Sequence, residues 1–304
     1  MRSIRSIATG QFLGLLLIII SAISFGAMPI FARFAYEAGT DTLTMLFLRF
    51  VIAAGVMIFL MIIRRRSFPR GRVLLGLVLL GALGYVGESF TYFTALTMAS
   101  AGMVALLLYL YPAIVALLAV IILHEHLTPV RVGALLLALT GTVLTIRLTE
   151  GGQLPGIILS IIAALIYAIY ILIGSRFVPK AGAIPAATVV MASAAIVYTG
   201  IIAVHGTTFP KTTIGWMAVL AIALISTVLA FVTFFAGLER IGPISTSTIS
   251  TFEPVVAVIL AAFLLGETLN LLQLLGGVLI LTAVVVLARS QAKGKKVDIS
   301  KKKL

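Results

Sequence analysis

Residues 111–127 read YPAIVALLAVIILHEHL, and residues 253–269 read EPVVAVILAAFLLGETL. Each stretch opens with a proline in its second position, runs through about three turns of aliphatic residues, and closes on a glutamate followed two residues later by leucine. Pro112 matches Pro254, Leu118 matches Leu260, Leu123 matches Leu265, Glu125 matches Glu267 and Leu127 matches Leu269, all at one offset of 142. The same offset joins Gly14 to Gly156, Phe93 to Phe235, Leu96 to Leu238 and Arg147 to Arg289. Leucine matches arise easily in apolar sequence, whereas the shared prolines, glutamates and terminal arginines do not. The chain is a duplication, with halves at 1–150 and 151–290 and a basic tail at 291–304.

The medium in which these halves fold follows from composition. Of 304 residues, 62% are hydrophobic and 10% charged, with a mean hydropathy of +1.24. Soluble domains run near half apolar and a quarter charged. One helix crossing lipid needs about 20 apolar residues. Ten continuous apolar runs are present, at 12–33, 43–63, 73–96, 101–123, 129–147, 155–176, 184–204, 213–237, 244–265 and 271–289. Their unbroken apolar character predicts helices rather than barrel strands, which alternate. The first run follows Arg2 and Arg5 as a signal peptide would, but about 20 apolar residues exceed a signal core of roughly 7–15, so an uncleaved span is expected. The chain has no cysteine, which excludes disulfide scaffolds and thiolate metal sites.

Orientation is read from the 22 Lys and Arg residues. With the N-terminus in the cytoplasm, 18 of them fall on the inner side, among them Arg64, Arg65, Arg66, Arg70, Arg72 and the tail lysines. Only Arg33, Arg147 and Lys211 fall outside, and Arg49 lies within span 2. This positive-inside bias places both termini in the cytoplasm. The tail lysines then serve topology and attraction to anionic lipid rather than nucleic acid. Five spans per half is an odd number, so the second half is expected upside down relative to the first. Inverted repeats are common in secondary transporters, whose sites lie near the midplane where the halves meet.

The series Ala95-Leu96, Ala99-Ser100-Ala101, Leu110-Tyr111-Pro112 and Glu125-His126-Leu127-Thr128 resembles the drug/metabolite transporter superfamily. The second copy resembles its EamA-type domain more closely, through Leu238-Glu239-Arg240-Ile241-Gly242-Pro243, Phe252-Glu253-Pro254-Val255, Gly266-Glu267-Thr268-Leu269 and Gln273-Leu274-Leu275-Gly276. The resemblance covers the whole chain as two copies. It implies a ten-helix, all-α membrane fold in which spans 1, 3, 4, 6, 8 and 9 surround a cavity and spans 5 and 10 lie outside. It also implies a carrier of small metabolites, often amino acids or amphiphilic compounds, usually moved outwards.

Ionisable residues inside a span cost about 2.5–3.5 kcal/mol each at the centre, so each needs a reason. Arg49 sits about 9 Å below the outer end of span 2 and Glu88 about 12 Å below that of span 3, which predicts an Arg49–Glu88 ion pair. Such a pair could equally be structural, fixing two helices. Glu253 lies about 14 Å from the inner end of span 9, near the midplane, with no basic residue at its depth. It is therefore expected to bind a substrate amine or carry a proton. Pro112 and Pro254 interrupt spans 4 and 9 at matching positions, the best sequence pointer to a transport site. Tyr85, Glu88 and Tyr92 share one face of span 3 by their i, i+3, i+7 spacing. Tyr111, Phe252 and Tyr167 occupy the same level, whereas Tyr109 and Tyr111 point to different faces of a continuous helix. Aromatics with a few carboxylates suit a cargo bearing an amino group. For any single tyrosine, packing remains the simpler role.

The function expected is a secondary exporter of amino acids or related small metabolites in the cell membrane, working without a cofactor and as a monomer. A multidrug or cation exporter of the same fold is the nearest rival. A passive channel would lack saturation, and an intramembrane enzyme would need clustered His and Asp, whereas His124, His126 and His205 lie at span ends. His124-Glu125-His126 lacks the spacing of a zinc helix, and no P-loop is present to use ATP.

Overall fold

The computed structural model describes residues 2–95, 98–99, 104, 107–124, 127–145, 153–265 and 271–301, and every regular element among them is helical. Helix α1 (Arg2–Gly26) hitches at Ala27 and continues as α2 (Met28–Glu37), with Pro29 in the first turn of α2 where its missing N–H is no loss. Then come α3 (Thr42–Ile63), and α4 (Gly71–Leu79) running through a π-helical turn (Leu80–Tyr85) into α5 (Val86–Ala95). After them follow α6 (Tyr111–Leu123), α7 (Pro129–Thr145), α8 (Leu154–Ala181) and α9 (Ala183–His205). Helix α10 (Thr213–Ala223) passes through a second π-helical turn (Leu224–Leu229) into α11 (Ala230–Ser250), and α12 (Glu253–Leu265) and α13 (Leu271–Lys301) close the chain.

Among the described residues six stretches are long and apolar enough to cross a membrane: Gly10–Glu37, Thr42–Ile63, Gly71–Ala95, Leu154–Ala181, Ala183–His205 and Thr213–Ser250. Four shorter apolar helices lie at Tyr111–Leu123, Pro129–Leu144, Glu253–Leu264 and Leu271–Val286. The molecule is a multi-pass helical membrane protein. Two of the expected spans differ in detail. Span 4, read as one helix over 101–123, has a turn at 109–110 that separates helical residues 107–108 from the helix beginning at Tyr111. Span 9, read as one helix over 244–265, is cut at Thr251–Phe252. A proline contributes no N–H to the preceding turn, so both helices restart at the prolines instead of running through them. Helix α11 is in turn broken at Gly242, whose φ of 76° is left-handed and is followed by Pro243. The repeat residues Glu125, Glu267, Leu96, Leu269 and Arg147, with His126, lie outside the described residues.

Helices in lipid gain no hydrophobic drive toward one another, so close approach through small residues holds them together. Gly14 of α1 faces Arg240 and Ile241 of α11, and Gly237 of α11 faces Ile18. A side chain at Gly26 would lie 2.6 Å from the Glu253 carbonyl, and one at Gly141 of α7 would lie 2.7 Å from the Gly276 carbonyl of α13. Gly76 of α4 makes the corresponding contact of span 3 with span 6, against Phe177, and Gly156 of α8 meets Met98 just past the end of span 3. Span 1 thus pairs with span 8, span 3 with span 6, span 2 with span 7 and span 5 with span 10.

The connection between α2 and α3 is fixed at one end of the bundle. Asp41 caps α3, accepting from the Thr44 N–H at 2.9 Å and the Thr44 hydroxyl at 2.6 Å. That hydroxyl oxygen accepts from the Thr208 N–H at 2.9 Å, and the Lys211 N–H donates to the Ala38 carbonyl at 2.9 Å, so 38–41 and 206–212 lie together. Burial pushes the Asp41 carboxyl up, but the hydrogen bonds from Thr44 and Thr208 outweigh it and hold the group below its ordinary value. A carboxyl lowered in the folded state contributes stability that is complete above the unfolded value of about 3.9 and fades as pH falls through the folded one. Asp41→Ala should therefore cost about 1 kcal/mol at neutral pH, the usual loss for an N-cap. Melting curves in detergent should show the gap to wild type closing below about pH 4, and coincident melting at pH 7 would refute the cap.

Candidate substrate site

Arg49 is 1% exposed in the middle of α3, among Phe50, Ala53 and Met45. Its charge is accommodated by neutral groups from two other helices. The Nε donates to the Thr227 hydroxyl at 2.7 Å, and Nη2 donates to the Tyr85 hydroxyl at 2.7 Å. The guanidinium lies 5.0 Å from the Phe50 ring and 5.6 Å from the Tyr85 ring, within cation–π range. Tyr85 ends the first π-helical turn and Thr227 stands inside the second. The Thr227 hydroxyl in turn donates to the Ile222 carbonyl, five residues back, at 2.8 Å.

The expected Arg49–Glu88 ion pair does not form. Arg49 bonds the two hydroxyls through Nε and Nη2, and Glu88, one helical turn past Tyr85, is half-buried and lies in the field of Arg49 without an ion pair to it. The planar guanidinium presents donors in more than one direction, so it reaches acceptors on two helices at once.

Glu253 opens α12, directly after the break. Its Oε2 accepts a long bond, 3.5 Å, from the Tyr109 hydroxyl, while Oε1 is shut from solvent and has no hydrogen-bond partner. Glu88 lies within electrostatic reach of Glu253, and Tyr92 and Tyr167 lie within reach of both carboxyls. From Tyr109 a ladder of rings runs inward. Tyr109 and Tyr111 are 6.2 Å apart between centroids, Tyr111 and Tyr167 4.6 Å, Tyr167 and Tyr170 6.1 Å, and Tyr170 and Tyr85 5.7 Å. The ladder joins the Glu253 end of the site to Arg49.

The sequence-predicted residues fall as follows. Tyr92 packs edge-on to Phe93 at 5.3 Å, and Phe252 lies half-buried in the turn ahead of Glu253. Tyr111 is buried and its hydroxyl donates to the Ser247 carbonyl at 3.5 Å. Tyr85 is buried beside Arg49, behind the others. Pro112 and Pro254 each stand in the second position of a helix, one residue after Tyr111 and Glu253. Tyr109 was expected on another face from Tyr111, yet both join the ladder. The helical-face argument fails there because 109–110 form a turn. Sequence reading also missed Thr227 and the hydroxyl run Ser245–Ser250. Thr227 had a signal, since it is Tyr85 displaced by 142. Among the described residues no three His, Asp or Glu side chains gather as metal ligands.

A family model for EamA-like transporters matches twice, over residues 12–147 and 154–289. The chain belongs to the EamA-like transporter family. An uncharacterized transporter of Archaeoglobus fulgidus is 30% identical to this EamA-like protein over 88% of this chain and 94% of its own. The aromatic amino acid exporter YddG of Ancylobacter novellus is 28% identical over 53% of this chain and 57% of its own. A solved crystal structure superposes with a TM-score of 0.78 over 91% of this chain and 98% of that one, and at 22% identity this likeness concerns the fold.

In this EamA-like chain Arg49 depends on hydroxyls. Tyr85→Phe and Thr227→Val should each remove an acceptor from a buried cation and cost about 1.5–3 kcal/mol, the worth of a hydrogen bond to a charged group. Glu88→Gln should lower the melting temperature less than either. A larger loss in Glu88→Gln, relieved by also replacing Arg49 with Met, would restore the ion-pair reading.

Proposed function

We propose that the chain is a secondary transporter that exports amino acids or related small, amino-bearing metabolites by alternating access around the Glu88–Glu253 region. The observation that carries this reading is the unpartnered Glu253 oxygen at a helix break, set among tyrosines contributed by both halves. A carboxylate acceptor left open in low dielectric is costly unless something binds it. The printed name of the Ancylobacter relative supports the amino-acid class.

On this reading the chain crosses the cell membrane ten times as two inverted five-helix repeats, with both termini cytoplasmic. Several observations support that arrangement. An exchange of halves at offset 142 turns the pair of spans 1 and 8 into the pair of spans 6 and 3, and both pairs are present. The same exchange carries Tyr85 onto Thr227, both ligands of Arg49. The Lys and Arg bias sets the orientation. The chain acts with a small-molecule substrate in lipid, as a monomer, and without a role for nucleic acid.

Two measurements test this. In proteoliposomes Glu253→Gln should retain a monodisperse elution profile yet lose at least tenfold in saturable counter-flow of a labelled amino-bearing cargo; wild-type flux would remove Glu253 from the site. For topology, a cysteine at the exposed Thr207 should react with an impermeant thiol reagent on intact cells, and one at the exposed Ser67 should not. The opposite pattern would reverse the orientation.

A further inference from the structure

A groove of about 450 Å³ runs along the outer seam of spans 3 and 6, walled by Gly76, Leu83 and Gly84 on one side and Ile169, Ile173 and Phe177 on the other. We propose that it seats an acyl chain of an anionic phospholipid, with the lipid headgroup held by Arg72 and Lys180. The proposal rests on the membrane fold and not on the transport reading. The groove is also separate from the candidate substrate site: neither Glu88 nor Glu253 lines it, and Tyr170 is its one residue from the ring ladder.

The first support is the direction in which the groove opens. Leu79, Leu83, Ile169 and Ile173 of its lining are all exposed, so its mouth faces away from the bundle, where lipid lies. The lining has no charged side chain, and the Tyr170 hydroxyl is its only side-chain polar group. Such a trough offers nothing to a polar cargo. Lipid tails are as apolar as leucine, so a tail gains no hydrophobic drive on entering. It gains fit. An unfilled recess forfeits the dispersion contacts of the atoms around it, and a flexible hydrocarbon chain restores them.

The second support is length. The two helices are antiparallel along the seam: a side chain at Gly76 would lie 2.6 Å from the Phe177 ring, and one at Gly84 would lie 3.3 Å from that of Tyr170. From Ile166 to Phe177 the groove follows α8 for about 17 Å at 1.5 Å per residue. One leaflet supplies about 15 Å, half of the hydrocarbon core. The groove is therefore about one acyl chain deep and ends near the midplane.

The third support is charge at one end only. Arg72 lies four residues before Gly76, on the same face of α4, and Lys180 lies three residues after Phe177, on the same face of α8. The Lys180 Nζ stands 5.9 Å from the Phe177 ring, so the groove lining runs directly into this cation. Both residues are exposed, at the end of the groove where Gly76 meets Phe177. A basic pocket between spans at the membrane surface suits an anionic headgroup, and each Lys or Arg near such a surface favours it by about fivefold. Apolar trough and paired cations follow one another in the order of a phospholipid's own tail and head.

The test is native mass spectrometry of the full-length protein released from detergent, with dioleoyl phosphatidylglycerol and dioleoyl phosphatidylcholine as probes, which share their chains and differ in headgroup charge. Wild type should retain phosphatidylglycerol at least fivefold over phosphatidylcholine. Arg72→Gln with Lys180→Gln should bring the two lipids level. Leu83→Trp, at a position 67% exposed on the rim, should fill the groove and cut phosphatidylglycerol retention at least fivefold with both cations in place. Arg64→Gln with Arg66→Gln removes the same charge from the end of α3, which packs chiefly on α9, and should leave retention unchanged. Equal retention of the two lipids by wild type overturns the proposal, and that comparison needs no variant to fold. Equal losses in the two arginine–lysine and arginine–arginine pairs, or full retention in Leu83→Trp, overturn it as well. A dimer that Leu83→Trp dissociates would give the groove to a second copy of the chain and overturn the lipid assignment.

Discussion

The architecture turns on one buried cation. A guanidinium placed 1% exposed inside a membrane helix has to be satisfied by protein, and Arg49 is satisfied by one hydroxyl from each half of the chain. Reaching both requires Tyr85 and Thr227 to be presented toward α3 from two different helices. Each does so at a π-helical turn, where one extra residue per turn rotates the side chains that follow. The Thr227 hydroxyl serves both sides of this arrangement, donating to the Ile222 carbonyl while accepting from Arg49. Phe50 and Tyr198, stacked at 5.5 Å, complete the packing around the cation, and Ser89 ties Tyr198 back to α5. A lysine could not substitute, because a single ammonium lacks the planar fork that spans the two hydroxyls.

A second constraint is the set of breaks. Pro112, Pro254 and Gly242 each interrupt a helix that hydrophobicity alone would continue. In lipid, irregular backbone is tolerated only where protein or a cavity covers it, so these breaks have to lie inside the bundle. They do: Pro112, Pro243 and Pro254 are all buried. The breaks bring Tyr109 and Glu253 into contact, since a turn frees Tyr109 from the helical face it would otherwise occupy.

Much of this was legible in the sequence. Apolar runs bounded by charge mark where helices lie, because length and composition decide membrane insertion with little help from tertiary contacts. Pro112 and Pro254 announce their breaks because the missing N–H is a local fact. The partner of Arg49 was not legible. Depth alone pointed to Glu88, the nearest carboxylate in height, but which face of α3 meets which helix depends on packing with Thr227, 178 residues away. The π-helical turns were hidden for the same reason: they shift the register by one residue and leave hydropathy unchanged. Tyr109 was misjudged because the helical period was applied across residues that form a turn.

The offset of 142 separates scaffold from chemistry in this chain. Residues that pack recur: glycine 14 with 156, phenylalanine 93 with 235, proline 112 with 254. Residues that carry charge in the site do not. The counterpart of Arg49 is Met191, that of Glu88 is Ala230, and that of Glu253 is Tyr111. A symmetric chain would hold two buried guanidinium groups competing for the same pair of hydroxyls, and two like charges at such spacing in low dielectric repel strongly. Keeping one cation and giving each half a hydroxyl for it avoids that conflict while retaining a shared contact between the halves. The two carboxyls likewise come from different helices, α5 and α12, one in each half. Duplication accounts for the packing residues that recur at the offset, and the unmatched charges are where the two copies have diverged.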